Sequence, residues 1–198
     1  MLLRRLVYLT VAFLGLAAIC LELAMQKQPP LPVYQQVPDF QLTERSGKAV
    51  TLADLKGKVW IADFFYASCP GPCPVISGRL SDWQKDLLGS GDVRIVSITT
   101  MPSMDTPEVL RQYADRFHAS DKWLFLTGDK EQIFNLSNKG FLLTAADQND
   151  PAEVAAPVIH STKLALVDRN GNIRGYYDAS DEANLKLLAA DVKRLLRQ

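Results

Sequence analysis

Seven residues, Val59-Trp60-Ile61-Ala62-Asp63-Phe64-Phe65, form an apolar run broken only by Asp63, and the chain then turns at once through Cys69-Pro70-Gly71-Pro72-Cys73-Pro74. The run reads as a strand. Beyond it Val75, Ile76, Leu80, Trp83 and Leu87 recur at helical spacing, so the turn joins a strand to an amphipathic helix. Prolines at 70, 72 and 74 fix φ and remove backbone donors, which stiffens the loop and presents its sulfurs at the end of a strand. Two thiols three residues apart in such a turn can close a disulfide or hold a soft metal ion.

The chain has 198 residues, 47% hydrophobic and 22% charged, enough for one globular domain that buries its own core. Lys plus Arg equals Asp plus Glu at 22 each, and no basic cluster lies beyond the first few residues, which excludes a nucleic-acid footprint. Arg4 and Arg5 precede an apolar stretch from Leu6 to Met25 broken only by Glu22. About 20 residues at 1.5 Å each match the roughly 30 Å of hydrocarbon in a bilayer. Ala17, Ala18 and Ala24 are poorly spaced for signal cleavage, so residues 1–25 read as an uncleaved transmembrane anchor. Cys20 suits lipid attachment less well, because Ile19 stands where a small residue is needed. With both arginines held in the cytoplasm, the C-terminal part is expected on the periplasmic face of the inner membrane, an oxidising compartment.

Residues 26–37, rich in Pro and Gln, read as an extended tether, and 38–198 as the globular domain. A hairpin is expected around Ser46-Gly47, a buried strand at Val93 to Thr99, and a helix from Pro107 to Phe117 capped by Thr106. A short strand at Trp123 to Leu126 and a helix around Glu131 to Leu136 follow. Thr144 to Ala156 is polar and Ala-rich and reads as a loop that ends at His160. Leu164 to Val167 and Ile173 to Tyr177 flank Asn170-Gly171, a strong hairpin signal, and a last helix runs from about Glu182 to Leu196. Strand, Cys turn, helix, strand, helix and strand, closed by a hairpin and a helix, is the order of an α/β, thioredoxin-like domain.

Pro38-Asp39-Phe40, Leu55-Lys56-Gly57-Lys58, the Cys69-x-x-x-Cys73-Pro74 turn, Asp105-Thr106-Pro107-Glu108-Val109-Leu110, Trp123 with Leu126-Thr127-Gly128, and His160-Ser161 before Leu166-Val167-Asp168 together carry a resemblance. From Pro38 to the C-terminus the chain resembles the Sco (SenC) family of copper-binding assembly factors for cytochrome c oxidase. The resemblance implies copper as cofactor, with Cys69, Cys73 and His160 as its ligands. It also implies a copper-receiving subunit of a respiratory oxidase, or another copper carrier, as partner. The chemistry of the three residues agrees: thiolates favour Cu(I), while an imidazole tolerates both Cu(I) and Cu(II). Three protein ligands leave the site open, as a carrier requires, and the positive end of the helix near Pro74 favours thiolates. Where the family commonly has Asp-Pro before the Asp-Thr-Pro helix start, this chain has Met101-Pro102. Met101 and Met104 are the only methionines beyond the anchor; they pack the loop or serve as auxiliary thioether ligands for Cu(I).

Other uses of the same residues stay open. The cysteines suit a structural disulfide, or the redox pair of an extracytoplasmic thiol-disulfide oxidoreductase or redox sensor, with Cys69 as nucleophile and Cys73 as resolver. Against the oxidoreductase stand the three intervening residues and the absence of a proline just ahead of the strand that ends at Val167. Tyr66 also stands where a peroxiredoxin has Thr. His118, at the end of a helix, reads as a solvated or capping residue. The expectation is thus a membrane-anchored copper chaperone, which moves a metal by ligand exchange and is not strictly an enzyme.

Overall fold

A computed structural model describes residues 13, 15, 16, 29–89, 92–143 and 162–198. The chain divides into two compact units, residues 1–31 and 32–198. In the first, Phe13, Gly15 and Leu16 are helical, and the expected anchor falls almost wholly outside the described residues. Among the described residues no helix is long and apolar enough to cross a membrane.

The second unit is built on one sheet of eight strands: β1 (Gln35–Gln36), β2 (Gln41–Glu44), β3 (Ala49–Thr51), β4 (Val59–Phe65), β5 (Val93–Thr99), β6 (Trp123–Thr127), β7 (Lys163–Val167) and β8 (Asn172–Asp178). Their spatial order is β1-β8-β7-β4-β5-β6-β2-β3. The central three, β4, β5 and β6, run parallel, while β7 lies antiparallel to β4 and β2 antiparallel to β6. The helices are α1 (Leu52–Leu55), α2 (Pro72–Leu88), α3 (Pro107–Arg116), α4 (Lys130–Asn135) and α5 (Glu182–Leu196), with a π-helical turn at Leu136–Gly140 after α4. This is the α/β, thioredoxin-like arrangement that the element order predicts.

All seven residues of β4 are buried, because both faces of the sheet are covered. Side chains alternate along a strand, so Trp60, Ala62 and Phe64 enter one core with Leu52, Leu55, Ile133, Leu136 and Phe141 from α1, α4 and the π turn. Phe65 faces the other way and packs on Tyr113 of α3 and Phe125 of β6, at ring-centroid distances of 5.0 and 5.7 Å. On that side Ser77 of α2 shares a 2.9 Å hydrogen bond with Tyr113, and Tyr177 of β8 donates to Asp191 of α5 at 2.8 Å.

The expected helix at Glu131 to Leu136 begins one residue earlier as α4, and the chain then widens into the π turn. Gly140 sits there so close to Pro38 that a Cβ would meet its ring at 2.9 Å. Gln35–Gln36, which composition groups with the tether, pair with Ile173 and Asn172 of β8. Pro32 accepts a hydrogen bond from the buried Arg174, whose guanidinium also pairs with Asp168 at 2.8 Å. Asp168 closes the β7–β8 turn by accepting from the backbone N–H groups of Asn170 and Asn172, and Gly171 supplies the positive φ of 84° that this turn requires.

Asp63 is the one ionisable residue of β4. It accepts a 2.5 Å hydrogen bond from Ser97, whose hydroxyl in turn accepts from the indole of Trp123 at 2.9 Å. Burial pushes the Asp63 carboxyl up from 3.8 to about 7, against the Ser97 hydrogen bond. A folded value above the unfolded one stabilises the fold fully below about pH 4, and that contribution is lost as pH rises through about 7. Asp63→Asn should therefore flatten the stability profile across this window and make the variant more stable than the parent at pH 8, by about 4 kcal/mol. Urea unfolding at about pH 4, 6 and 8 checks this, and parallel profiles for the two proteins would refute it.

Candidate metal centre

Strand β4 surfaces at Tyr66, whose carbonyl accepts the N–H of Cys69 at 3.2 Å and closes a tight turn. Gly71 is the N-cap of α2 and Pro72 its first residue, a position where the fixed φ of proline suits the helix and its missing N–H is no loss. Cys73 is therefore the second residue of the helix. Both cysteines are unbonded and buried, 5% and 6% exposed. Pro70 and Gly71 between them are exposed.

Hydrogen bonds make the two sulfurs unequal. Burial pushes the Cys69 thiol up, but hydrogen bonds from the Cys73 thiol, the N–H groups of Cys73 and Gly71, and the Tyr66 hydroxyl outweigh it and bring the thiol below its ordinary value. Cys73 is pushed up to about 12, first by burial and then by donating its proton to Cys69, with the negative charges of Cys69 and Asp63 adding to the effect. Burial and the neighbouring Cys69 also raise the Tyr66 phenol. Cys69 is therefore the more acidic thiol of the pair, and Cys73 the one that holds its proton more firmly.

The loop after β5 lies at the same sheet edge, because β4 and β5 run parallel and in register from Val59 opposite Val93 to Phe65 opposite Thr99. Met101 donates its N–H to Thr99 Oγ1 at 3.0 Å, and its carbonyl accepts the N–H groups of Met104 and Asp105. Met101 is partly exposed and Met104 is 56% exposed. His160 and Ser161 lie outside the described residues, as does Cys20. Among the described residues no group of three or more His, Cys, Asp or Glu side chains could hold a metal ion. His118 is exposed, ends α3 with a φ of 50°, and donates its N–H to Asp115. It belongs to the opposite edge of the sheet, where α3 leads into the start of β6.

Sequence reasoning identified the two cysteines but not what surrounds them. Asp63 was visible as the only charge in an apolar strand. Tyr66 and Asp105 stand in or beside the sequence motifs, but their roles did not show there: the Tyr66 hydroxyl meets Cys69 only once the turn folds, and Asp105 acts across segments 38 residues apart. Asp105 is 1% exposed, and its carboxylate accepts from the N–H of Ala67 at 3.0 Å and from the Thr99 hydroxyl.

Comparison with known proteins places the fold and the Cys turn in a family. The SCO1/SenC family model matches residues 29–197. The SCO1 protein homolog of Bacillus subtilis is 32% identical over 165 residues, which cover 82% of this chain and 83% of that protein. A solved structure of BsSco, described as a member of the Sco family of cytochrome c oxidase assembly proteins with a disulfide switch, is 32% identical with a TM-score of 0.70, covering 86% of this chain and 97% of that one. Bradyrhizobium japonicum ScoI, solved with copper bound, is 26% identical with a TM-score of 0.63, covering 81% of this chain and 99% of that one. With a match that runs through the Cys turn and nearly the whole folded unit, this chain belongs to the SCO1/SenC family.

Proposed function

We propose that this protein is a membrane-anchored copper chaperone. It binds copper through Cys69, Cys73 and His160 and delivers it to the copper site of a respiratory cytochrome c oxidase, or prepares the cysteines of that site. The observation that carries the reading is the pair of buried sulfurs on one proline-stiffened turn, with backbone N–H groups directed at Cys69. Such donors hold Cu(I) well. Family membership agrees with it, as does the copper bound by B. japonicum ScoI. When Cu(I) binds, the S–H bond of Cys73 gives way to a sulfur–copper bond and the proton leaves to solvent, so binding is coupled to pH.

His160 is the proposed third ligand because of topology. Strand β7 is antiparallel to β4, so Lys163 at its start stands at the sheet edge that carries the Cys turn. Three residues of chain reach at most about 11 Å from there. Met101 and Met104, at the same edge, are proposed auxiliary thioether donors for Cu(I). Leu6 to Met25 is the proposed anchor, which places the folded unit on the periplasmic side, where a copper-receiving oxidase subunit or another copper carrier is its partner.

A second reading is favoured by the inequality of the thiols: Cys69 as the attacking group of a thiol-disulfide exchange and Cys73 as resolver. The two readings share one dithiol and differ in what leaves with the partner, a metal ion or a pair of electrons.

The full-length reduced chain, held in detergent and titrated without oxygen against a Cu(I) chelator, should take up one Cu(I). Its affinity should fall as pH is lowered, because copper displaces protons. Cys69→Ser and Cys73→Ser should each abolish uptake, and unchanged stoichiometry in both variants would remove the chaperone reading.

His160→Ala should spare Cu(I) retention more than Cu(II) binding, since two thiolates hold Cu(I) linearly whereas Cu(II) favours a nitrogen ligand. The sulfur-to-copper charge-transfer band is the readout. An identical Cu(II) spectrum in the variant would take His160 out of the site.

In the reduced, copper-free chain near neutral pH, Cys69 should react with iodoacetamide at least about tenfold faster than Cys73, because the thiolate is the nucleophile. Mass spectrometry of the modified peptides over time gives the ratio, and equal rates would contradict the inequality described above.

A further inference from the structure

A buried carboxylate holds the approach to the Cys turn from outside, next to Thr100, whose N–H donates to the Phe65 carbonyl at 2.8 Å. Asp105 is buried, and its Oδ2 accepts two hydrogen bonds: one from the N–H of Ala67, two residues before Cys69, at 3.0 Å, and one from the hydroxyl of Thr99 at the end of β5. Thr99 Oγ1 in turn accepts the N–H of Met101 at 3.0 Å. The N–H of Asp105 donates to the Met101 carbonyl at 2.9 Å. Its position is fixed by the start of α3, where Thr106 caps the N–H of Val109 at 3.4 Å and Pro107 occupies the first turn. One side chain thus ties the exit of β4 to the exit of β5, and both to the end of a helix. The Thr100–Phe65 backbone bond joins the two exits at the ends of the strands, and the Asp105 carboxylate reaches past it to Ala67, nearer the cysteines.

We propose that Asp105 is a positioning residue for the dithiol: its carboxylate, by holding Ala67, fixes the approach to Cys69 and so the geometry in which Cys69 meets Cys73. The proposal deepens the functional reading above and rests on it only for its copper arm. Preorganisation is the physical basis. Two sulfurs held in place act at a high effective concentration toward each other and toward a shared metal, and freeing one end of the turn lowers it. A carboxyl oxygen suits the task, because one atom accepts both hydrogen bonds and so joins the two segments directly. The same carboxylate holds the Met101–Met104 turn through Thr99, so the sulfurs of both segments share one frame.

The test uses the full-length chain in detergent, equilibrated with glutathione buffers, and reads the ratio of dithiol to Cys69–Cys73 disulfide. Asp105→Ala should shift this ratio toward the dithiol by about tenfold, or roughly 30 mV for a two-electron couple. Asp105→Asn, which keeps an acceptor oxygen, should restore most of the shift. Asp191→Ala removes another buried carboxylate, one that accepts from Tyr177 and Arg194. It should lower the unfolding midpoint without moving the ratio. A wild-type ratio in Asp105→Ala would overturn the proposal, as would an equal shift in Asp191→Ala, which would mark a general loss of stability. Where Asp105→Ala does not fold, Thr99→Val carries the test: a smaller shift in the same direction supports the proposal and a wild-type ratio overturns it. In parallel, Cu(I) affinity should fall about tenfold in Asp105→Ala. A wild-type chain that takes up no Cu(I) would refute the copper reading alone, with the glutathione arm still deciding the role of Asp105.

Discussion

The hydrogen-bond accounting of the Cys turn governs what the site can do. Residues 69–74 contain three prolines, so within them only Cys69, Gly71 and Cys73 carry a backbone N–H. That of Cys69 goes to the Tyr66 carbonyl, and those of Gly71 and Cys73 go to the Cys69 sulfur. No donor of the turn is left for anything else. The prolines therefore do more than stiffen the loop: by deleting competing donors they leave a fixed number of N–H groups, and the start of α2 aims these at one sulfur. Cys73, further into the helix and behind Asp63, receives a single backbone donor, from Tyr66, and stays protonated.

This arrangement depends on β4 being buried along its full length. A strand covered on both faces meets solvent only at its ends, and in a parallel arrangement the C-terminal exits of β4 and β5 fall side by side. The Cys turn and the Met101–Met104 turn are neighbours for that reason. Asp63 is the exception inside the strand, a carboxyl hydrogen-bonded by Ser97 in place of an apolar side chain that would pack without polar partners. Its charge raises Cys73, so a residue that weakens the fold near neutral pH also sharpens the difference between the thiols.

What the sequence revealed follows the range of the forces involved. Strands β4 and β5 and helix α5 have the bounds their periodicity implies, because alternation and apolar runs report burial directly. Thr106 and Pro107 start α3 as capping chemistry requires. Gln35–Gln36 gave no strand signal, since two polar residues among prolines pair with β8 only because Arg174 holds Pro32 nearby. The π turn at Leu136–Gly140 was equally hidden: its extra residue accommodates the packing of Gly140 on Pro38, a contact across about a hundred residues. Within the site, the cysteines were legible from spacing and the inequality between them was not. That inequality arises from the side on which the helix start presents its N–H groups and from Asp63 beneath, both of which are tertiary facts.

The rim of the dithiol bears on how a partner reaches it. From Phe64 to Gly78 no residue is charged, nor is any from Thr100 to Met104. These two segments themselves offer a partner no charge, so what they contribute to recognition is short-range shape and apolar contact. The exposed side chains here suit that: Val75 is 58% exposed and Met104 56%. Gly71 presents open space where a Cβ would stand, so a partner's backbone can approach the turn beside Cys69. Both cysteines are nearly covered, at 5% and 6% exposure, so a partner reaches their sulfurs only by close contact with the turn. A proline-stiffened turn with its sulfurs covered and its neighbouring surface apolar favours a partner shaped to fit it over water.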